Sequence, residues 1–225
     1  MKRRDFTLVA GSGLLMPSAF AAALSETDAA SGIRAALERG AESAVALLGK
    51  NDGFMGNPLV RIELPERLKS AVKLLKATGQ GKKVDELLLA MNRAAEAAVP
   101  AAKPLLVKAV RDISVEDALK LVRGGNDKAV TDFFAGKTRE PLSAKFLPIV
   151  TQATEKVALA DKYNAVAGKA AGMGLMKGED ANIQQYVTAR ALDGLFLMIG
   201  EEEKKIRQDP IGTGSALLKK VFGKL

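Results

Sequence analysis

Apolar side chains return at intervals of three and four residues along nearly the whole sequence, and no segment sustains a period of two. Such spacing buries one stripe of a helix rather than one face of a strand. Ile33, Leu37, Ala41, Ala44 and Leu48 make one stripe; Leu68, Val72 and Leu75 make another; Val84, Leu88, Met91, Ala95 and Ala98 a third. The longest runs from Ile183 through Val187, Ala191 and Leu195 to Met198 and Ile199. Aromatic residues are only 4% of the chain and Trp is absent, so the core is built from Leu, Val, Ile, Met and Ala. Small side chains let helices approach closely, whereas sandwich folds draw on aromatic and β-branched residues.

Boundary signals divide the pattern. Ser25 to Asp28 has capping-box spacing, and Gly49 to Asn57 reads as a loop. Leu59 to Ile62 lies between Pro58 and Pro65 and is the one stretch expected to be extended, since prolines disfavour helix before them. Pro65 opens the next helix, Gly79 stops it, and Pro100 closes the one after. Leu105 to Ile113 continues as helix, Ser114 to Asp117 starts a short one that Gly124 and Gly125 end, and Asn126 caps a helix holding Phe133 and Phe134. Pro148 predicts a kink or break between Pro141 and Ala158. A last helix from about Ala181 to Gln208 stops at Pro210. The expected architecture is an all-α, single-domain bundle of about eight helices, with one short extended segment near residues 58–65.

The first 23 residues read as a secretory signal peptide. Lys2-Arg3-Arg4 precedes an apolar run from Phe6 to Met16, and Ala19-Phe20-Ala21 or Ala21-Ala22-Ala23 supplies small-residue cleavage spacing. The run is too short to cross a bilayer as a helix. Arg3-Arg4-Asp5-Phe6 also resembles a twin-arginine signal, with Thr7 standing where Leu is usual, so both export routes stay open. The expectation is a periplasmic or secreted chain cleaved near Ala21 or Ala23, comprising a helical domain over 24–209 and a tail over 210–225. In that tail Leu217, Leu218, Val221 and Phe222 are interleaved with Lys219 and Lys220, giving a basic amphipathic segment. Such a segment lies on an anionic membrane, enters a protein partner's groove, or folds back on the bundle.

Two absences restrict the chemistry. The chain has no Cys and no His, which removes disulfides, thiolate sites, the commonest zinc ligand and the usual general base. The reading therefore leans away from an enzyme and assigns no catalytic, cofactor-binding or metal-binding residue. The formal charge is +8; the first five residues carry three positive charges and one negative, so the rest keeps +6. Basic residues are interleaved with acids in most segments and aromatics are few, which places nucleic acid last among partners.

Ser70-x-x-Lys73 matches a penicillin-recognising spacing, but no Ser-Asp-Asn or Lys-Thr-Gly completes it. Gly136-Lys137-Thr138 copies the end of a phosphate-binding loop without its first glycine or preceding strand. Gly172, Gly174 and Gly178 lack the strand that a dinucleotide fingerprint requires. Carboxylates are the strongest chemistry left. Asp193 interrupts an apolar stretch one helical turn after Arg190, and Asn92, Arg93 and Glu96 stand close together on an Ala-rich helix. Gathered inside the bundle, these five would form a polar cluster with shifted pKa values; otherwise they are structural ion pairs. No calcium-binding loop spacing occurs.

Four long stretches, "DGFMGNPLVRIELPERL", "MNRAAEAAVPAAKPLL", "YNAVAGKAAGMGLMKGEDANIQQYVTARALDGLFLMIGEEEKKIRQDP" and "LLKKVFG", together resemble the bacterial family called domain of unknown function 4197, from about Leu24 to Gly223. The resemblance implies an exported helical domain and carries over no activity and no site residue. The functional expectation is a periplasmic binding or interaction module without catalysis, acting through a groove between helices or through the tail. The alternative is an enzyme or small-ligand carrier using an interior carboxylate and arginine cluster around Glu96 and Asp193.

Overall fold

The computed structural model describes residues 26–123, 129–155, 157–174 and 178–208. Among them every regular element is helical: α1 (Glu26–Leu48), α2 (Lys69–Ala77), α3 (Gly81–Ala98), α4 (Lys103–Arg111), α5 (Val115–Arg123), α6 (Ala129–Thr154), α7 (Ala158–Gly172) and α8 (Ile183–Gln208). Pro100 does not separate α3 from α4. A 3-10 turn over Val99–Ala102 joins them end to end, so the eight stretches make seven continuous helical rods. Pro100 stands at the start of that turn, where its fixed φ suits the first positions of a helical turn.

Helix α8 packs against α1, α3 and α6, and α3 packs on α6, which makes these four the centre of the bundle. Helices α4 and α5 lie on α1, and α7 on α3 and α8. Ala44, Ala94, Ala95, Ala98 and Ala191 are fully buried, so the rods meet over small side chains, with Phe54, Phe134, Phe146 and Leu142 filling the remaining volume. The stripes expected from spacing are the ones enclosed: Ile33, Leu37 and Leu48 on α1, Val84 and Met91 on α3, Ile183, Val187, Leu195 and Ile199 on α8.

Helix α6 crosses both Pro141 and Pro148 without a break. The two prolines stand seven residues apart on one exposed face, so the carbonyls they leave unpaired, at Lys137 and Ala144, are on exposed residues as well. Burial of Phe134, Thr138, Leu142, Phe146 and Val150 on the opposite face outweighs the lost bonds. Helix α2 ends as its sequence predicts: Gly79 takes a positive φ of 82°, its N–H bonds the carbonyl of Lys76, and the Gln80 N–H bonds that of Leu75. Ser114 caps α5 through its hydroxyl, which accepts the Asp117 N–H at 3.0 Å.

Between α1 and α2 the chain forms a long crossing loop over residues 49–65. Asp52 sits at φ 62°, and a Cβ on Gly53 would lie 2.4 Å from the Leu48 carbonyl oxygen, so only glycine fits that position. Residues 58–60 form a turn rather than an extended strand. The Asn57 carbonyl accepts the N–H groups of Val60 and Arg61, and its side-chain oxygen accepts that of Leu59. Residues 61–65 carry no regular repeat. No described helix is long and apolar enough to cross a membrane.

Candidate functional site

The sequence-derived polar residues fall into two separate groups. Asn92 and Glu96 are both buried on the face of α3 that meets the crossing loop. Asn92 brackets Ile62, its side-chain oxygen accepting the Ile62 N–H at 2.9 Å while its amide donates to the Ile62 carbonyl at 2.9 Å. A second amide hydrogen goes back to the Leu88 carbonyl. Glu96 accepts the N–H groups of Phe54 and Met55 through Oε1, at 3.0 and 3.1 Å, and the Arg93 guanidinium through Oε2 at 2.6 Å. Arg93 reaches on to Asp52 at 2.8 Å. The Glu96 hydrogen bond is the largest influence on Arg93 and raises its pKa; partial burial opposes this, and Asp52 adds to it.

A loop without repeating structure has backbone groups that only side chains can satisfy once it is covered. Asn92 and Glu96 do this for Phe54, Met55 and Ile62, and α8 packs on the same loop. A Cβ on Gly194 would stand 2.8 Å from the Phe54 ring and 3.1 Å from Val60. Tyr186, also on α8, donates its hydroxyl to the Glu63 carbonyl at 2.8 Å. Tyr163 on α7 likewise donates to the Asp180 carbonyl at 2.8 Å. Burial pushes both tyrosine pKa values above the ordinary phenol value.

Asp193 has different surroundings. It is half-exposed, and it accepts hydrogen bonds from Arg190 at 3.0 Å and from Arg139 of α6. Arg190 stacks over the Tyr186 ring at 5.2 Å and Arg139 over the Phe196 ring at 5.8 Å. Burial works to lower the Arg190 pKa, but Tyr186, Asp193 and Asp180 together outweigh it and the net shift is upward. Glu96 and Asp193 therefore share no partner: one is enclosed by the loop, the other lies at the edge of α8. The two pairings at one-turn spacing, Arg93 with Glu96 and Arg190 with Asp193, both form. Arg139 and Asp52 complete them from distant parts of the chain, and spacing along one helix carries no signal for either.

Asp193 opens onto a groove of about 540 Å³ between α6 and α8. Its apolar surface comes from Ala135, Phe196 and Leu197, and charge of both signs surrounds it at Asp132, Arg139, Glu201 and Lys204. Leu197 is 43% exposed there, although α8 buries leucines at 192 and 195. A Cβ on Gly200 would meet the Thr131 hydroxyl at 2.6 Å, so glycine sets how closely the two helices approach beside the groove. A smaller groove of about 330 Å³ lies between α4 and α6, lined by Leu105, Phe133, Lys108 and Lys137.

The remaining motifs resolve simply. Ser70 and Lys73 are exposed on α2. Gly136, Lys137 and Thr138 lie inside α6, where the Thr138 hydroxyl donates to the Phe134 carbonyl instead of facing a phosphate. Among the described residues no three acidic side chains are grouped to hold a metal ion. The tail residues Leu217, Leu218, Lys219, Lys220, Val221 and Phe222 lie outside the described residues, as do the 23 residues of the expected signal.

No curated protein and no solved structure gives a significant match to the chain. A family model does, over residues 23–223, nearly the full length and beginning where the expected signal segment ends. The chain belongs to the family described as protein of unknown function (DUF4197).

Proposed function

We propose that this protein is an exported, non-catalytic interaction module of the bacterial envelope, and that the groove between α6 and α8 receives a segment of a protein partner. The observation that carries the reading is the exposure of Leu197 beside Phe196 and Ala135, within a border of Arg139, Lys204, Asp132 and Glu201. Apolar floors with charged borders suit a polypeptide, whose side chains supply both kinds of contact. The polar groups best suited to chemistry are already paired: Asn92 and Glu96 with the crossing loop, Asp193 with two arginines at the groove's edge. Export is supported by the Lys2-Arg3-Arg4 segment with its apolar run and small-residue cleavage spacing, and by a family match that starts at residue 23.

The rival reading, an enzyme or small-ligand carrier, requires Glu96 and Asp193 in one pocket, and they share no partner. The test is a photo-cross-linking side chain placed at Leu197 in the native host, with the exposed Ala153 of the same bundle as control. The expected result is one protein adduct from position 197, absent from position 153 and weakened severalfold by Lys204→Glu. Equal labelling from both positions, or none from 197, rejects the groove as a contact face.

A further inference from the structure

The charge of this chain is not spread evenly. From Arg67 to Val84 there are six basic residues and no acidic one, so this stretch alone carries a net charge equal to the +6 of everything after the first 23 residues. The stretch comprises α2, the Gly79 turn and the start of α3. Helix α2 is the outlying element of the bundle: it packs on α3 and on the short turn before it. Val72 and Leu75 face inward, while Lys69, Ser70, Lys73, Leu74, Lys76 and Ala77 are exposed.

At helical spacing these exposed residues form two adjacent stripes, Lys69-Lys73-Lys76 and Ser70-Leu74-Ala77. Leu74 is 66% exposed in the middle of the second. Lys69 pairs with Glu66 at 2.6 Å and Lys76 with Asp85 at 3.5 Å. Lys73, Lys82 and Lys83 are exposed with no acidic partner among the described residues. Leu74 gives this basic face an apolar centre, and a nucleic-acid face would call for stacking groups, of which this stretch has none.

We propose that the α2 ridge docks onto an anionic phospholipid bilayer, with Lys73, Lys82 and Lys83 facing the headgroups and Leu74 entering the interfacial layer. Charge complementarity selects the partner, and lysine suits it because a flexible stem reaches headgroups whose positions are not fixed. The proposal deepens the interaction-module reading by naming a second partner, on a helix separate from those lining the groove. Each basic residue at such a surface contributes roughly 1 kcal/mol, so three of them shift binding about a hundredfold.

The experiment is flotation of the exported chain, residues 24–225, with vesicles of phosphatidylglycerol and phosphatidylethanolamine, compared with phosphatidylcholine alone. Binding is expected on the anionic vesicles only, weakening as salt rises. The triple variant Lys73→Gln, Lys82→Gln, Lys83→Gln should lose about a hundredfold in affinity, and Leu74→Ser should lose severalfold. Because all four side chains are exposed, circular dichroism and the thermal midpoint should stay unchanged. The tail is separately basic, so Lys219→Gln with Lys220→Gln is run alongside. Anionic-vesicle binding that depends on the tail pair but not on the triple variant overturns the proposal. So do absence of vesicle binding, equal binding to phosphatidylcholine, and a preference for duplex DNA or an acidic polypeptide over vesicles. Loss of vesicle binding with an intact cross-link at Leu197 would reject the ridge alone; the converse would reject the groove alone.

Discussion

At the scale of single residues, the polar side chains of the interior hold backbone that the helices cannot. Glu96 is the clearest case, a carboxylate almost wholly enclosed that accepts two N–H groups of a loop without repeating structure. Glu96→Ala leaves both donors and Arg93 without an acceptor and should lower the unfolding free energy by about 2–4 kcal/mol in urea titration. Glu96→Gln, which keeps one acceptor oxygen, should cost less than half as much. An alanine variant as stable as the parent would show that the loop is held by packing alone. The two tyrosines give a pH test. Both have raised pKa values in the folded chain, so their contribution to stability is complete below the unfolded value of about 10 and disappears as pH rises through the higher folded values. Since the sequence has no Trp and two Tyr, tyrosinate absorbance reports on these two alone. It should rise at higher pH in the folded chain than in the chain unfolded in urea.

At the scale of elements, the interlocking of α8 with the crossing loop carries the architecture. Gly194 lets the Phe54 ring and Val60 lie directly against the α8 backbone. Gly194→Ala should cost about 1–3 kcal/mol despite the higher helix propensity of alanine, because the added carbon meets ring and branched side chain together. A stabilised alanine variant, read from the thermal midpoint, would contradict that packing. This is also where the sequence stops being legible. Helix-period spacing identifies the buried stripes of α1, α3 and α8 because burial follows from local repetition. It marks the ends at Gly79 and Ser114 because turn and cap chemistry is local too. It misjudges Pro100 as an end and allows at Pro148 a break that does not occur, because whether a proline stops a helix depends on what packs around it. The pairings of Arg139 with Asp193 and of Asp52 with Arg93 span 54 and 41 residues, and no local rule reaches so far.

At the scale of the molecule, the interior is closed around a helical core while the features that invite contact lie outside it. The groove beside Leu197 and the lysine ridge on α2 belong to different helices, an arrangement that would let one chain hold a protein segment while lying on a membrane. Neither was legible from the sequence in the same way as the core. The groove arises where α6 meets α8, and the ridge is plain only once Lys73 and Leu74 are known to face solvent. The central claim is that interior polar groups serve the fold and surfaces serve binding. Native mass spectrometry of the folded chain, isolated from its native host, tests it most directly. The account predicts the polypeptide mass alone, or with a protein or phospholipid attached; a stoichiometric small molecule that survives desolvation and is lost in Asp193→Asn would contradict it.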